Sequence, residues 1–238
     1  MIVSKAALQA AGLCAADKDV PALSVVQIEP DGTVLAANGK AIIAVAPVSG
    51  AVREAVPLPD KEPLGETVVL SVETARELAR AIGRDSQFKG LLEHVALRIV
   101  EPGKPGVLAT IIDGKRKTET VLRRIRSEGL PGWRDQFRDA MDGHPGTGPW
   151  IVNRLRLRAV VETIEKVCPY SGDFSPVFWL LREDGTALVR VENELTGQRA
   201  VVVLSGIAGA EAQAEWLPLN IWERRLASGF RGAAEKRK

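Results

Sequence analysis

Arginines at helical spacing are the residues of this chain best placed to do chemistry. Arg76, Arg80 and Arg84 recur every four positions, Arg154, Arg156 and Arg158 crowd a second stretch, and Arg224 and Arg225 open a basic tail. Gathered on a helix face, such side chains meet phosphates without reading bases. The plainer alternative is a solvated face on which they pair with Glu73, Glu77, Glu162 and Glu165. Another cluster, Lys115, Arg116, Lys117, Arg123, Arg124 and Arg126, lies on strand-like sequence and reads as a sheet edge protected by charge. The formal net charge is only +2, so any nucleic-acid contact depends on where the charges sit, not on their total.

Signals of catalysis are missing. The two histidines, His94 and His144, have no Cys, His or carboxylate at metal-ligand spacing. The run GHPGTGP at 143–149 lacks the strand–GxxxxGK[ST]–helix context of a phosphate loop. We therefore expect no enzyme, no metal and no cofactor. An enzyme on an α+β scaffold is the weakest alternative, and it requires a deep pocket lined by paired carboxylates. Cys14 and Cys168 end apolar helical stretches and read as buried thiols of a reducing, cytoplasmic setting, with a disulfide between them the weaker alternative. No apolar run reaches membrane-spanning length and no secretory leader is evident, so no membrane partner is expected.

The elements that must carry these residues repeat. A short apolar strand, a helical stretch and further strands open at Met1, again near Glu66, near Gly148 and at Gln213. In the first copy Ser4 caps a predicted helix to about Ala16, and Asp31-Gly32 and Asn38-Gly39 mark hairpins. Residues 49–65 read as a crossing loop. In the second copy Ser71 is the N-cap and Ala75, Leu78, Ala79 and Ile82 share a face, followed by a half-buried strand with Val95, Leu97 and Ile99 inward. Residues 127–149, rich in Gly and Pro around WRDQFRDAM, read as an interdomain connector with one short helical turn. The third copy predicts a helix with Leu157, Val160, Val161, Ile164 and Cys168 on one face, then strands VFWLL, TALVRVE and RAVVVLS. The fourth stops at Lys238 after a strand and a basic helix over about 221–230.

Three stretches carry a family resemblance: LAANGKAIIAVAPV at 35–48, TVVLSVETARELARAI at 67–82, and SEGLPGWRDQF at 127–137 followed by IVNRLRLRAVVETI. In order and spacing the chain resembles the bacterial DNA polymerase III beta sliding clamp, matching its middle domain and most of its last. The resemblance implies an α+β, DNA-clamp-like fold of repeated strand–helix–strands units with antiparallel sheets. It implies a clamp-like domain over 1–126, a linker over 127–149, and a truncated second domain over 150–238. It also implies a processivity or tethering factor for replication or repair that forms a homo-oligomeric ring. Double-stranded DNA would meet Arg76, Arg80, Arg84, Arg154, Arg156, Arg158, Arg224 and Arg225. A polymerase or clamp-loader-like protein would insert a peptide beside Gly39, Lys40, Ile42, Pro131 and Trp133, although the plainer role of Ile42 and Trp133 is to pack the domain junction. This chain departs from the family's aspartate, histidine and arginine in the first motif, where it has Asn38, Lys40 and Ala41. The rival implication is a clamp-fold interaction module that forms no ring and regulates a clamp, loader or polymerase.

Overall fold

The computed structural model describes residues 1–15, 20–83, 92–113, 116–125, 129–146, 152, 154–168, 177–193 and 197–206. Expectations for Arg84, Lys115, Arg126, Arg224, Arg225, the fourth repeat and the helix at 221–230 lie outside the described residues. Residues 1–206 cluster as one compact unit.

Two repeats interlock reciprocally. The first runs β1 (Ile2–Ser4), α1 (Lys5–Cys14), β2 (Val25–Ile28), β3 (Val34–Ala37) and β4 (Ala41–Val45). After α2 (Gly50–Ala55), the second runs β5 (Val68–Ser71), α3 (Val72–Ala81), β6 (His94–Ile99), β7 (Gly106–Asp113) and β8 (Arg116–Arg123). The leading strand of each joins the other's sheet, β1 on β6 and β5 on β2, both antiparallel. The third repeat contributes α5 (Arg154–Val167), β9 (Val177–Leu181), β10 (Thr186–Glu192) and β11 (Arg199–Ser205). Because β11 pairs with β4, the second sheet is seven strands wide, in the order β5-β2-β3-β4-β11-β10-β9, beside a four-stranded sheet β1-β6-β7-β8. That sheet crosses from the first two repeats into the third, past the connector at 127–149. All described strand pairs are antiparallel, so the fold class is α+β as expected.

Local chemistry explains the elements. Ser4 Oγ accepts from Ala7 N at 3.1 Å and Ser71 Oγ from Thr74 N at 3.0 Å, capping α1 and α3 at their expected starts. Inward residues alternate along the strands, so Ile28, Ile43, Leu70, Leu97 and Leu204 meet Leu8, Leu78 and Ile164 in one core between the sheets and the α1–α3–α5 layer. Fully burying each such side chain stabilises by about 1.5–3 kcal/mol. The Cys14 thiol lies in this core, and burial pushes its pKa up to about 12. Neither cysteine is in a disulfide. Cys14 should therefore resist thiol reagents at pH 8 and react only on denaturation, which a dithionitrobenzoate assay with and without guanidinium checks.

Four differences from the sequence reading have clear causes. Residues 49–65 are not all loop: Ser49 caps the short α2, and Val48, Val56 and Leu58 cover Ile2 and Ala96 on the far face of the four-stranded sheet. This is why β6 is buried on both faces over its first four residues rather than half-buried. On α5 the buried set is Val160, Thr163, Ile164 and Val167, while Val161 is 41% exposed, so the face is turned from the expected one. The connector holds the ten-residue α4 (Trp133–Asp142), three turns rather than one, on the sheet face opposite the main core. There Phe137 and Ala140 pack with Leu35, Ile42, Leu188 and Val203.

Candidate partner cleft and nucleic-acid interface

A strap over 129–146 builds one wall of a cleft. Gly129 takes φ +79°, and a Cβ there would overlap the Gln27 side chain, with Cδ at 2.8 Å. This close approach lets Gln27 Oε1 accept from Leu130 N at 2.6 Å. Gln27 Nε2 donates to the buried Glu29, whose carboxylate holds Arg134 at 3.1 Å. Arg134 stacks 4.5 Å above the Trp133 ring, and Trp133 meets Phe137 edge-on at 6.1 Å. At the other end of α4, Arg182 is only 8% exposed and donates to the carbonyls of Ala140 at 2.6 Å, Met141 at 2.5 Å and Gly143. A cation placed there satisfies the orphan carbonyls of the helix C-terminus and favours its negative end.

Where strap, β3–β4 hairpin and β11 meet, a cleft of about 250 Å³ opens. Leu23, Ala37, Ala41, Ile42, Leu130, Pro131 and Val203 supply apolar lining; Gly39, Lys40, Gln136 and Ser205 supply the rest. The hairpin is rigid because Asn38 Oδ1 accepts from Lys40 N at 3.0 Å and Ala41 N at 2.8 Å, with Gly39 at φ +79°. Of the residues expected at a partner site, Gly39, Lys40, Ile42 and Pro131 come together here. Trp133 does not line the cleft; it packs half-buried against the apolar cluster beneath α4. Leu23, Leu130, Gln136, Val203 and Ser205 were not read as site residues, and for Val203 and Ser205 no local signal exists, because only the β4–β11 pairing brings them near Ile42.

The basic helices form the layer on the main-core side, with α1 packed against both α3 and α5. Their arginines differ in availability. Arg76 donates through Nε at 2.9 Å and Nη2 at 2.6 Å to Gly12 O, bracing α3 on the end of α1. Arg158 pairs with Glu162 at 2.6 Å, and this hydrogen bond raises its pKa further. Among the described residues Arg80, Arg154 and Arg156 are in no ion pair. On α3 two arginines face two glutamates, whereas α5 carries four cations against two glutamates. Arg116 and Arg123 lie on β8, an outer strand of its sheet among the described residues, and Lys117 pairs with Glu119 at 2.7 Å.

Among the described residues no group of three or more His, Cys, Asp or Glu side chains is arranged to hold a metal ion. No described helix is long and apolar enough to cross a membrane.

No protein-family model matches this chain, and no curated protein does. Among solved structures, a chain of the PCNA2–PCNA3 complex from Sulfolobus tokodaii is 10% identical with TM-score 0.49, over 86% of this chain and 98% of its own. A chain of the complex in which the C-terminal region of FEN-1 is bound to A. fulgidus PCNA is 11% identical with TM-score 0.47, over 87% of this chain and 97% of its own. Neither is a bacterial beta subunit, the family that the sequence resembles. At these scores the likeness establishes neither family nor function.

Proposed function

We propose that the chain is a non-enzymatic, sliding-clamp-like tethering factor for DNA replication or repair, organised as clamp-like domains over 1–126 and 150–238. The observation that carries this reading is the reciprocal interlocking of two strand–helix–strands repeats. It gathers α1 and α3 on one side of the sheets, the β4–β11 pairing adds α5 to that side, and the cleft lies on the other. Duplex DNA on the helix layer and a polymerase or clamp-loader-like protein at the cleft then bind without competing. A ring of copies would retain the duplex topologically.

The expected DNA contact is weak and independent of sequence. Each neutralised phosphate adds about 0.9 to the log–log salt slope, so contacts by Arg80, Arg154, Arg156 and Arg158 give a slope of about 3 to 4. In fluorescence anisotropy with a labelled duplex, Arg154→Ala, Arg156→Ala and Arg158→Ala together should flatten the slope by about 2 to 3. An unaltered slope removes α5 from the interface.

The balanced charge of α3 and the engagement of Arg76 with Gly12 favour a second reading, an interaction module on the same fold that makes no ring and regulates a clamp, loader or polymerase. Light scattering on a sizing column separates the two, since a stable monomer without DNA affinity at low salt supports the module.

A further inference from the structure

The cleft's dimensions and rim specify the chemistry of its occupant. At about 250 Å³ it falls below the roughly 300–1,000 Å³ of pockets that enclose a whole small ligand. It holds one large apolar side chain and leaves the rest of that molecule on the surface, as an anchor residue of a partner protein does. Its lining is apolar apart from Gly39 and three rim residues, the Lys40 ammonium, the Ser205 hydroxyl and the Gln136 carboxamide, and no carboxylate lines it. Of these only the Lys40 ammonium is a donor alone; the hydroxyl and the carboxamide both donate and accept, and Gln136 Nε2 already faces Pro131 O at 3.5 Å.

Lys40 is held at its base and available at its tip. Its backbone N–H is fixed by Asn38 Oδ1 at 3.0 Å, and its carbonyl accepts from Ser205 N at 2.8 Å. Its side chain is exposed and, among the described residues, has no carboxylate partner. A lone ammonium at the rim of an apolar floor, with no acidic group in the lining, complements an anion set next to an apolar anchor.

We propose that the cleft recognises an extended acidic–apolar segment of a partner protein, the apolar side chain seated between Ile42, Leu130 and Val203 and an adjacent Asp or Glu paired with Lys40. This rests on the reading of the cleft as a partner site and narrows the class of partner.

The test uses the full chain and three fluorescent ten-residue peptides. One is C-terminally amidated with a central Leu-Asp-Phe, the second is its Leu-Asn-Phe twin, and the third is the twin with a free C-terminal carboxylate. A solvent-facing ion pair discriminates by about fivefold, so the aspartate peptide should bind about fivefold tighter than both others at low salt. That advantage should shrink as salt rises. In Lys40→Gln, checked for an unchanged melting temperature, the difference should vanish. Equal binding of the aspartate and asparagine peptides, or discrimination that survives Lys40→Gln, overturns the acidic specificity and leaves the partner cleft standing. A free-carboxylate twin that matches the aspartate peptide overturns it too, by assigning Lys40 to a chain terminus. Failure of every peptide to bind overturns both readings.

Discussion

Replacing Arg182 by methionine is expected to detach α4 from the sheet while the rest of the fold stays intact. The guanidinium is buried and donates to three carbonyls at the end of α4, those of Ala140, Met141 and Gly143. Methionine keeps most of the volume and removes every donor. Hydrogen bonds from a charged group contribute about 1.5–3 kcal/mol net, and breaking a buried charged arrangement costs about 3–5 kcal/mol. We expect about 3 kcal/mol here, because the freed carbonyls can reach water once α4 lifts. Amide hydrogens over 133–142 should then exchange roughly a hundredfold faster, since about 1.4 kcal/mol is a factor of ten. Those of β2, β3 and β4 should keep their protection. Unchanged protection of α4 would show that Phe137 and Ala140 dock the helix without the arginine.

Gly129→Ala and Gly185→Ala make a matched pair. Both glycines have positive φ, +79° and +77°, so alanine carries a left-handed penalty of about 1–2 kcal/mol at each. Around Gly185 a new Cβ meets nothing within 4 Å, whereas at Gly129 it overlaps the Gln27 carboxamide. Gln27 must then move, which breaks its bond to Leu130 N and leaves buried polar groups unsatisfied, for about 1–3 kcal/mol more. Gly129→Ala should lower stability by about 3 kcal/mol against about 1 for Gly185→Ala in urea titrations. Equal losses would place the effect in backbone strain alone.

Much of the secondary structure was legible because local signals agreed with the fold. Ser4 and Ser71 announce their helices, Ala75, Leu78, Ala79 and Ile82 sit inward as spaced, and the β7–β8 and β9–β10 strands follow their turn residues. Helix α4 was under-read because Gly and Pro flank it, its N-cap is Gly132 with no side-chain cap, and only Phe137 and Ala140 are buried. Its C-terminal carbonyls are capped by Arg182, far along the chain. The arginine stripe shows the opposite failure. Spacing placed Arg76 beside Arg80, but spacing carries no information about Gly12, whose carbonyl draws Arg76 sideways. Half of the cleft was legible through the 35–48 motif, and the β11 half was not, because strand partners remote in sequence leave no periodic trace.

The β4–β11 seam has a consequence during synthesis. Gln198 Nε2 bonds Ala46 O across a separation of 152 residues. Until the ribosome has delivered β11, the growing chain therefore presents β4, with the sequence AIIAV, as an unpaired and uncharged edge. Loop closure over that span is slow, and a bare apolar edge invites pairing with other nascent chains. The interval between synthesis of residues 46 and 199 is thus the one in which this edge is open to mispairing.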